Sequence, residues 1–200
     1  MYGTVHNMSK VRFRLIGLTH RCVEESYNFM ALKLVSTLLP NDVSLQVHDI
    51  KEIPFYEPGL EGAELPLAVS NFQNELIHAQ GLVIFTPEYN HSLPARLKNA
   101  LDWLSRLKPN VLIDLPTMIG SVATGHLGGA RVQYELRRVL DSQQAQTLLK
   151  PEVFIGSAKS KFNNIGECVD QETIKLLGLQ IASFIKLLEN AQKIKTISQV

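Results

Sequence analysis

The chain has 200 residues with 45% hydrophobic content, enough for a packed core and too much for a disordered segment. Its 20 basic and 19 acidic residues are interspersed and leave a net charge of +1, so no global field favours nucleic acid or an anionic membrane. Cys22 and Cys168 lie far apart without metal-type spacing and read as free thiols in a reducing compartment, and no run approaches the ~20 apolar residues of a spanning helix. The expectation is one cytoplasmic domain over 1–200, with a loose polar leader at 1–10 in which His6 is solvated.

In chain order, Val11–Gly17 alternates and then turns apolar into a glycine, the pattern of a first strand. Ser26–Leu39 reads as a helix, with Met30, Leu34 and Leu38 on one stripe, stopped by Pro40-Asn41-Asp42. Val43, Leu45 and Val47 alternate as a second strand nearer an edge. Residues 51–66, rich in proline, form a connection. Leu67–Gln80 is helical, with Val69, Phe72, Leu76 and Ala79 facing inward. Leu82–Phe85 is a short apolar run suited to a strand covered on both faces, and Thr86-Pro87 ends it. Ser92 as N-cap and Pro94 in the first turn start a helix to Leu107, where Leu97, Ala100, Leu101 and Leu104 share a face.

Pro116–Val122 is a fourth strand, and Gly128-Gly129 opens a helix carrying Val132, Leu136, Val139 and Leu140. Val153–Gly156 is the last strand and residues 158–168 are a loop. A terminal helix from Gln171 to Asn190 carries Ile174, Leu177, Ile181, Phe184 and Leu188 on one face, read as packing on the sheet although the same stripe also fits a coiled-coil seam. Strands alternating with helices in this way make an α/β fold, a parallel sheet with helices on both faces.

No Gly-x-Ser-x-Gly elbow, HExxH or clustered ligand set occurs, so neither a hydrolytic constellation nor a metal site is indicated. In open α/β sheets ligands bind at the carboxyl ends of the strands. Three loops lie there: residues 17–28, 87–92 and 121–129. The second, Pro87-Glu88-Tyr89-Asn90-His91-Ser92, offers backbone amides, an aromatic ring and polar side chains, an inventory suited to a flat heterocycle. An ordinary βα loop with an asparagine turn fits the same spacing.

Thr86-Pro87-Glu88-Tyr89-Asn90, followed by Ser92, Pro94, Leu97-Lys98-Asn99-Ala100 and Asp102-Trp103, resembles the signature of the NADPH-dependent FMN reductase family. The resemblance implies a flavodoxin-like fold with a five-stranded sheet of order 2-1-3-4-5. It also implies an oxidoreductase holding FMN and using NADPH or NADH. Hydride passes through the flavin to a quinone, free flavin, azo compound or metal oxyanion in a ping-pong reaction, and no protein side chain bonds covalently to substrate. A homodimer or homotetramer is implied as well. Trp103 is either part of the subunit contact or buried against the sheet.

The family's first loop reads Gly-Ser-x-Arg-x-x-Ser-x-Asn and wraps the FMN phosphate at a helix N-terminus. Here Leu18 follows Gly17, Ser26 lies nine residues on rather than six, and Glu24 and Glu25 intervene. Thr19, Arg21, Ser26 and Asn28 are the candidate phosphate ligands. By resemblance, the backbone of the loop from Pro87 and Glu88 to Ser92, together with Asn90, holds the ring edge, and Tyr89 packs beside the ring. Glu88 reads equally as a structural carboxylate. Ser121, Thr124, Gly125 and His126 are candidates for the polar ring edge, followed by Arg131. Arg21, Arg96 and Arg131 are all available to an NADPH 2′-phosphate. His91 and Cys22 read as solvated and packed, respectively. The alternative function is a flavodoxin-like binding or regulatory module whose altered first loop has weakened flavin binding.

Overall fold

The computed structural model describes residues 11–60 and 64–197; the leader at 1–10 lies outside them. The strands are β1 (Phe13–Thr19), β2 (Val43–Asp49), β3 (Gly81–Thr86), β4 (Pro116–Val122), β5 (Gln146–Thr147) and β6 (Val153–Ile155). The helices are α1 (Tyr27–Leu38), α2 (Leu67–Ile77), α3 (Ala95–Arg106), α4 (Ala130–Ser142), α5 (Ala158–Lys161) and α6 (Gln171–Ile197). All pairings are parallel, in the order β2-β1-β3-β4-β5, with β6 also pairing β4. This is the flavodoxin-like order that the resemblance implies.

Successive strand residues point to opposite faces, and both faces are covered. Ile16, Leu18, Leu82, Ile84 and Ile119 enter one apolar layer with α2, α3 and α4. Phe13, Leu15, Val83, Phe85 and Met118 enter the other with α1 and α6. Strands β3 and β4 are buried at every position, whereas β2, on the edge, is exposed or half-buried at every position after Val43.

Trp103 decides between its two readings. It is 0% exposed, and its Nε1 donates to Pro54 O at 2.8 Å. Asn99, one turn earlier, donates to the same carbonyl at 2.9 Å and accepts from Tyr56 N at 2.8 Å. The Asn99 and Trp103 side chains therefore pin the proline-rich connection to α3. Trp103 is a core residue, and truncation to alanine costs about 3–5 kcal/mol.

Four other expectations shift. Strand β1 runs two residues past Gly17, to Thr19. A two-residue β5 joins the sheet, and the short α5 lies in the 158–168 segment expected to be a loop; both are too brief to leave a periodic signal. Helix α6 continues to Ile197, seven residues beyond Asn190. The N-cap of α3 is Pro94 rather than Ser92, whose Oγ donates instead to Glu135 at 2.9 Å. Among the described residues no helix is long and apolar enough to cross a membrane.

Candidate active site

The loops after β1, β3 and β4 meet in one cleft of about 340 Å³. Residues 20–28 of the first loop contribute most of its wall; Pro87, Glu88 and Tyr89 come from the second and Val122, Ala123 and Thr124 from the third. A wider groove of about 700 Å³ lies beside α1, between Glu24, Glu25 and residues 159–166. It takes two carboxylates and none of the residues of the second and third loops, so the smaller cleft is the better match to a ligand at the strand ends.

The first loop starts at His20, because β1 continues through Thr19. Counting the Gly-Ser-x-Arg-x-x-Ser-x-Asn pattern back from Asn28 places its glycine on His20, its serine on Arg21, its arginine on Val23 and its second serine on Ser26. The loop is therefore substituted rather than lengthened. Ser26 is the N-cap of α1 and accepts from Phe29 N at 3.4 Å. The amides of Tyr27 and Asn28, the first two helical residues, have no intrahelical acceptor and sit at the positive end of the helix dipole.

Asn28 stands in the cleft wall, but its side chain is committed elsewhere. Nδ2 donates to Val122 O at 3.0 Å and Oδ1 accepts from Val122 N at 2.9 Å. Strand β3 pairs with β4 only as far as Thr86 opposite Ser121, and the asparagine amide serves the next residue as a surrogate peptide. It is not free to bind phosphate as expected. Thr19 is fully buried at the root of the loop, and its Oγ1 has no partner. Arg21 is exposed and lines the cleft. Glu24 turns outward to an ion pair with Lys33, away from any phosphate at the helix start. Glu25 remains on the cleft wall.

In the second loop, Tyr89 N donates to Ser92 O at 3.1 Å and Ser92 N to Tyr89 O at 2.9 Å. Asn90 and His91 form the tip of this turn with φ of 50° and 66°, a left-handed backbone that asparagine tolerates better than most residues. Both are exposed and lie outside the cleft lining, so Asn90 shapes the turn rather than facing the cleft. Glu88 takes the structural role: it accepts from Val132 N at 3.2 Å and from Arg131 Nη1 at 3.1 Å, capping α4.

In the third loop only Thr124 of the four candidates lines the cleft. Ser121 is buried; its Oγ donates to Gly128 O at 2.5 Å and accepts from Gln133 Nε2 at 2.7 Å. Gly125 O accepts from Ser157 N, and His126 Nδ1 is hydrogen-bonded to Ser157 Oγ at 3.2 Å. Gly125 and His126 thus tie the loop to the start of α5. Gly129 has φ of 82°, and a Cβ there would meet Ser121 Cβ at 2.8 Å, which explains why glycine precedes α4.

Sequence reasoning missed His20, which lines the cleft. Its Nε2 is hydrogen-bonded to Tyr89 Oη at 2.8 Å, with the rings edge to face at 5.2 Å. Burial, then the positive charges of Arg96 and Arg21, hold its pKa below the usual histidine value. The signal was present in the loop pattern, read backwards from Asn28. Cys22 donates weakly to His48 O at 3.8 Å, and burial together with Asp49 pushes its thiol up to about 11. It is a packed thiol, not a nucleophile.

The donor set fits an FMN phosphate: a free helix N-terminus, a hydroxyl cap, an exposed arginine and an unpartnered buried hydroxyl. The main chain at 87–88 and the small residues Ala123 and Thr124 suit a planar ring between the second and third loops.

The NADPH-dependent FMN reductase family model matches residues 14–160. An NAD(P)H-dependent FMN reductase of Pseudomonas aeruginosa is 34% identical over 168 residues, covering 84% of this chain and 91% of that protein. A quinone reductase of Escherichia coli K12 is 35% identical over 184 residues, covering 90% of this chain and 98% of that protein. Among solved structures, the flavoenzyme NAD(P)H:(acceptor) oxidoreductase FerB from Paracoccus denitrificans superposes with a TM-score of 0.82 at 24% identity, over 90% of this chain and 98% of that one.

Proposed function

The chain belongs to the NADPH-dependent FMN reductase family, and from that premise we propose that FMN lies in the cleft with its phosphate at the N-terminus of α1 and its ring between the second and third loops. The chain is an oxidoreductase that works with FMN and NAD(P)H. The observation that carries the placement is the convergence of the three strand-end loops on one cleft that a helix start enters.

In this reading Ser26, Arg21 and the amides of Tyr27 and Asn28 hold the phosphate, with Thr19 Oγ1 an unspent donor at the loop's root. The main chain of Pro87 and Glu88 and the ring of Tyr89 border the isoalloxazine, and Thr124 faces its polar edge. Bound there, the flavin supplies the redox chemistry that joins NAD(P)H to an acceptor. The protein's part is to orient the ring, keep one face open and exclude water from the other. Donor and acceptor use that one open face in turn, a ping-pong order, and the acceptor is a small planar molecule of the quinone kind.

Incubation with FMN followed by desalting tests the reading. A retained flavin band near ~450 nm that NADPH bleaches without oxygen is the expected result. A colourless protein that also fails to quench FMN fluorescence refutes it.

A further inference from the structure

His20 occupies the glycine position of the loop pattern, so its ring is an addition relative to that pattern. It reaches across the cleft to Tyr89 Oη at 2.8 Å, and both side chains line the cleft. Its other nitrogen, Nδ1, is buried and has no hydrogen-bond partner. A neutral imidazole carries its proton on one nitrogen only. A buried N–H without an acceptor is a costly arrangement, and an unpaired lone pair costs less, the more so with the positive charges of Arg96 and Arg21 acting on the ring. Burial and the charges of Arg96 and Arg21 also keep the ring neutral. The proton therefore sits on Nε2 and is donated to Tyr89 Oη. Tyr89 then accepts from His20, and its own hydroxyl proton points elsewhere. Tyr89 is 51% exposed, and no other partner of its hydroxyl occurs among the described residues.

We propose that His20 and Tyr89 form a carbonyl-recognition dyad: Tyr89 donates a hydrogen bond to a carbonyl oxygen of the acceptor, and His20 is the positioning residue that orients the hydroxyl. The acceptor class is a planar ring bearing a carbonyl, such as a quinone. The inference rests on the proposed placement of flavin in the same cleft.

The experiment uses the FMN-loaded protein and two acceptors, 1,4-benzoquinone and ferricyanide, the second having no carbonyl. Tyr89→Phe and His20→Ala are expected to lower the ratio of kcat/KM for the quinone to kcat/KM for ferricyanide about tenfold, the scale of one lost hydrogen bond. His20→Gln, whose amide can donate from a similar place, restores part of the loss. Equal effects on both acceptors, or none on the quinone, overturn the proposal.

Binding to the oxidised protein provides a second readout, through perturbation of the flavin spectrum. Tyr89→Phe is expected to weaken 4-hydroxybenzaldehyde about tenfold more than 4-cresol, which lacks the carbonyl. Parallel weakening of both ligands means ring stacking alone and overturns the hydrogen bond. A wild-type protein that retains no FMN refutes the cleft assignment itself, a result distinct from a flavin-loaded protein indifferent to these substitutions.

Discussion

Asn28→Ala separates a structural amide from a phosphate ligand. In the folded chain the Asn28 side chain makes two hydrogen bonds to the main chain of Val122, at 3.0 and 2.9 Å, and the asparagine is 3% exposed. Removing it deletes both bonds and leaves an N–H and a C=O at the end of a buried strand. Each lost bond is worth about 1 kcal/mol, and desolvated groups left unpaired raise the total to about 2–4 kcal/mol. For a chain of this size that corresponds to a melting point lower by roughly 5–12 °C. The assay is urea unfolding of the flavin-free protein, where no phosphate is present to confuse the two roles. Asn28→Asp keeps the bond from Val122 N but sets a buried carboxylate against Val122 O, so above neutral pH it is expected to destabilise at least as much as alanine. FMN and riboflavin affinities are then compared for each variant. If the flavin-free unfolding free energy changes by less than about 0.5 kcal/mol while FMN weakens and riboflavin does not, the Asn28 side chain is a phosphate ligand and the surrogate-peptide argument is wrong.

Gly120→Ala places a Cβ 2.5 Å from two atoms of the Phe85 ring in the middle of the sheet; a loss of about 1–3 kcal/mol is expected in thermal unfolding, relieved in part by Phe85→Leu. Cys22, with its thiol pushed up to about 11 from 9.0, holds about a hundredfold less thiolate at pH 7.5 than an unperturbed thiol, and iodoacetamide labelling of the folded protein should be slower by a similar factor until denaturant is added. Glu88→Gln removes an ion pair to a half-exposed Arg131 and weakens the cap on Val132 N, for a loss of about 1 kcal/mol in urea unfolding. Loss of more than about 3 kcal/mol, or none, contradicts that cap assignment.

The layers of the fold were legible because burial writes a period into the chain. Leu82–Phe85 is apolar throughout because both faces of β3 are covered, and Val43, Leu45 and Val47 alternate because β2 is an edge. The short β5 and α5 span two and four residues, below the length at which any period registers. At the site, position along the strand ends was readable and side-chain direction was not. Pro87, Tyr89, Ser26 and Arg21 face the cleft, while Asn28, Asn90, Ser121, Gly125 and His126 are occupied in holding its walls.

That division has a physical cause. A cleft at the end of a parallel sheet is made where strands stop pairing, so main-chain groups there lose their ladder partners and need polar side chains as substitutes. Asn28 serves Val122, Glu88 serves the start of α4, and Ser121 serves Gly128. These side chains share the chemistry of ligand-binding groups because the groups they satisfy are the same amides and carbonyls. A motif at such an edge therefore carries two sets of polar residues, one for the ligand and one for the frame. His20 belongs to the first set: unlike Asn28, which satisfies the main chain of Val122, it bonds another side chain, Tyr89, and both line the cleft.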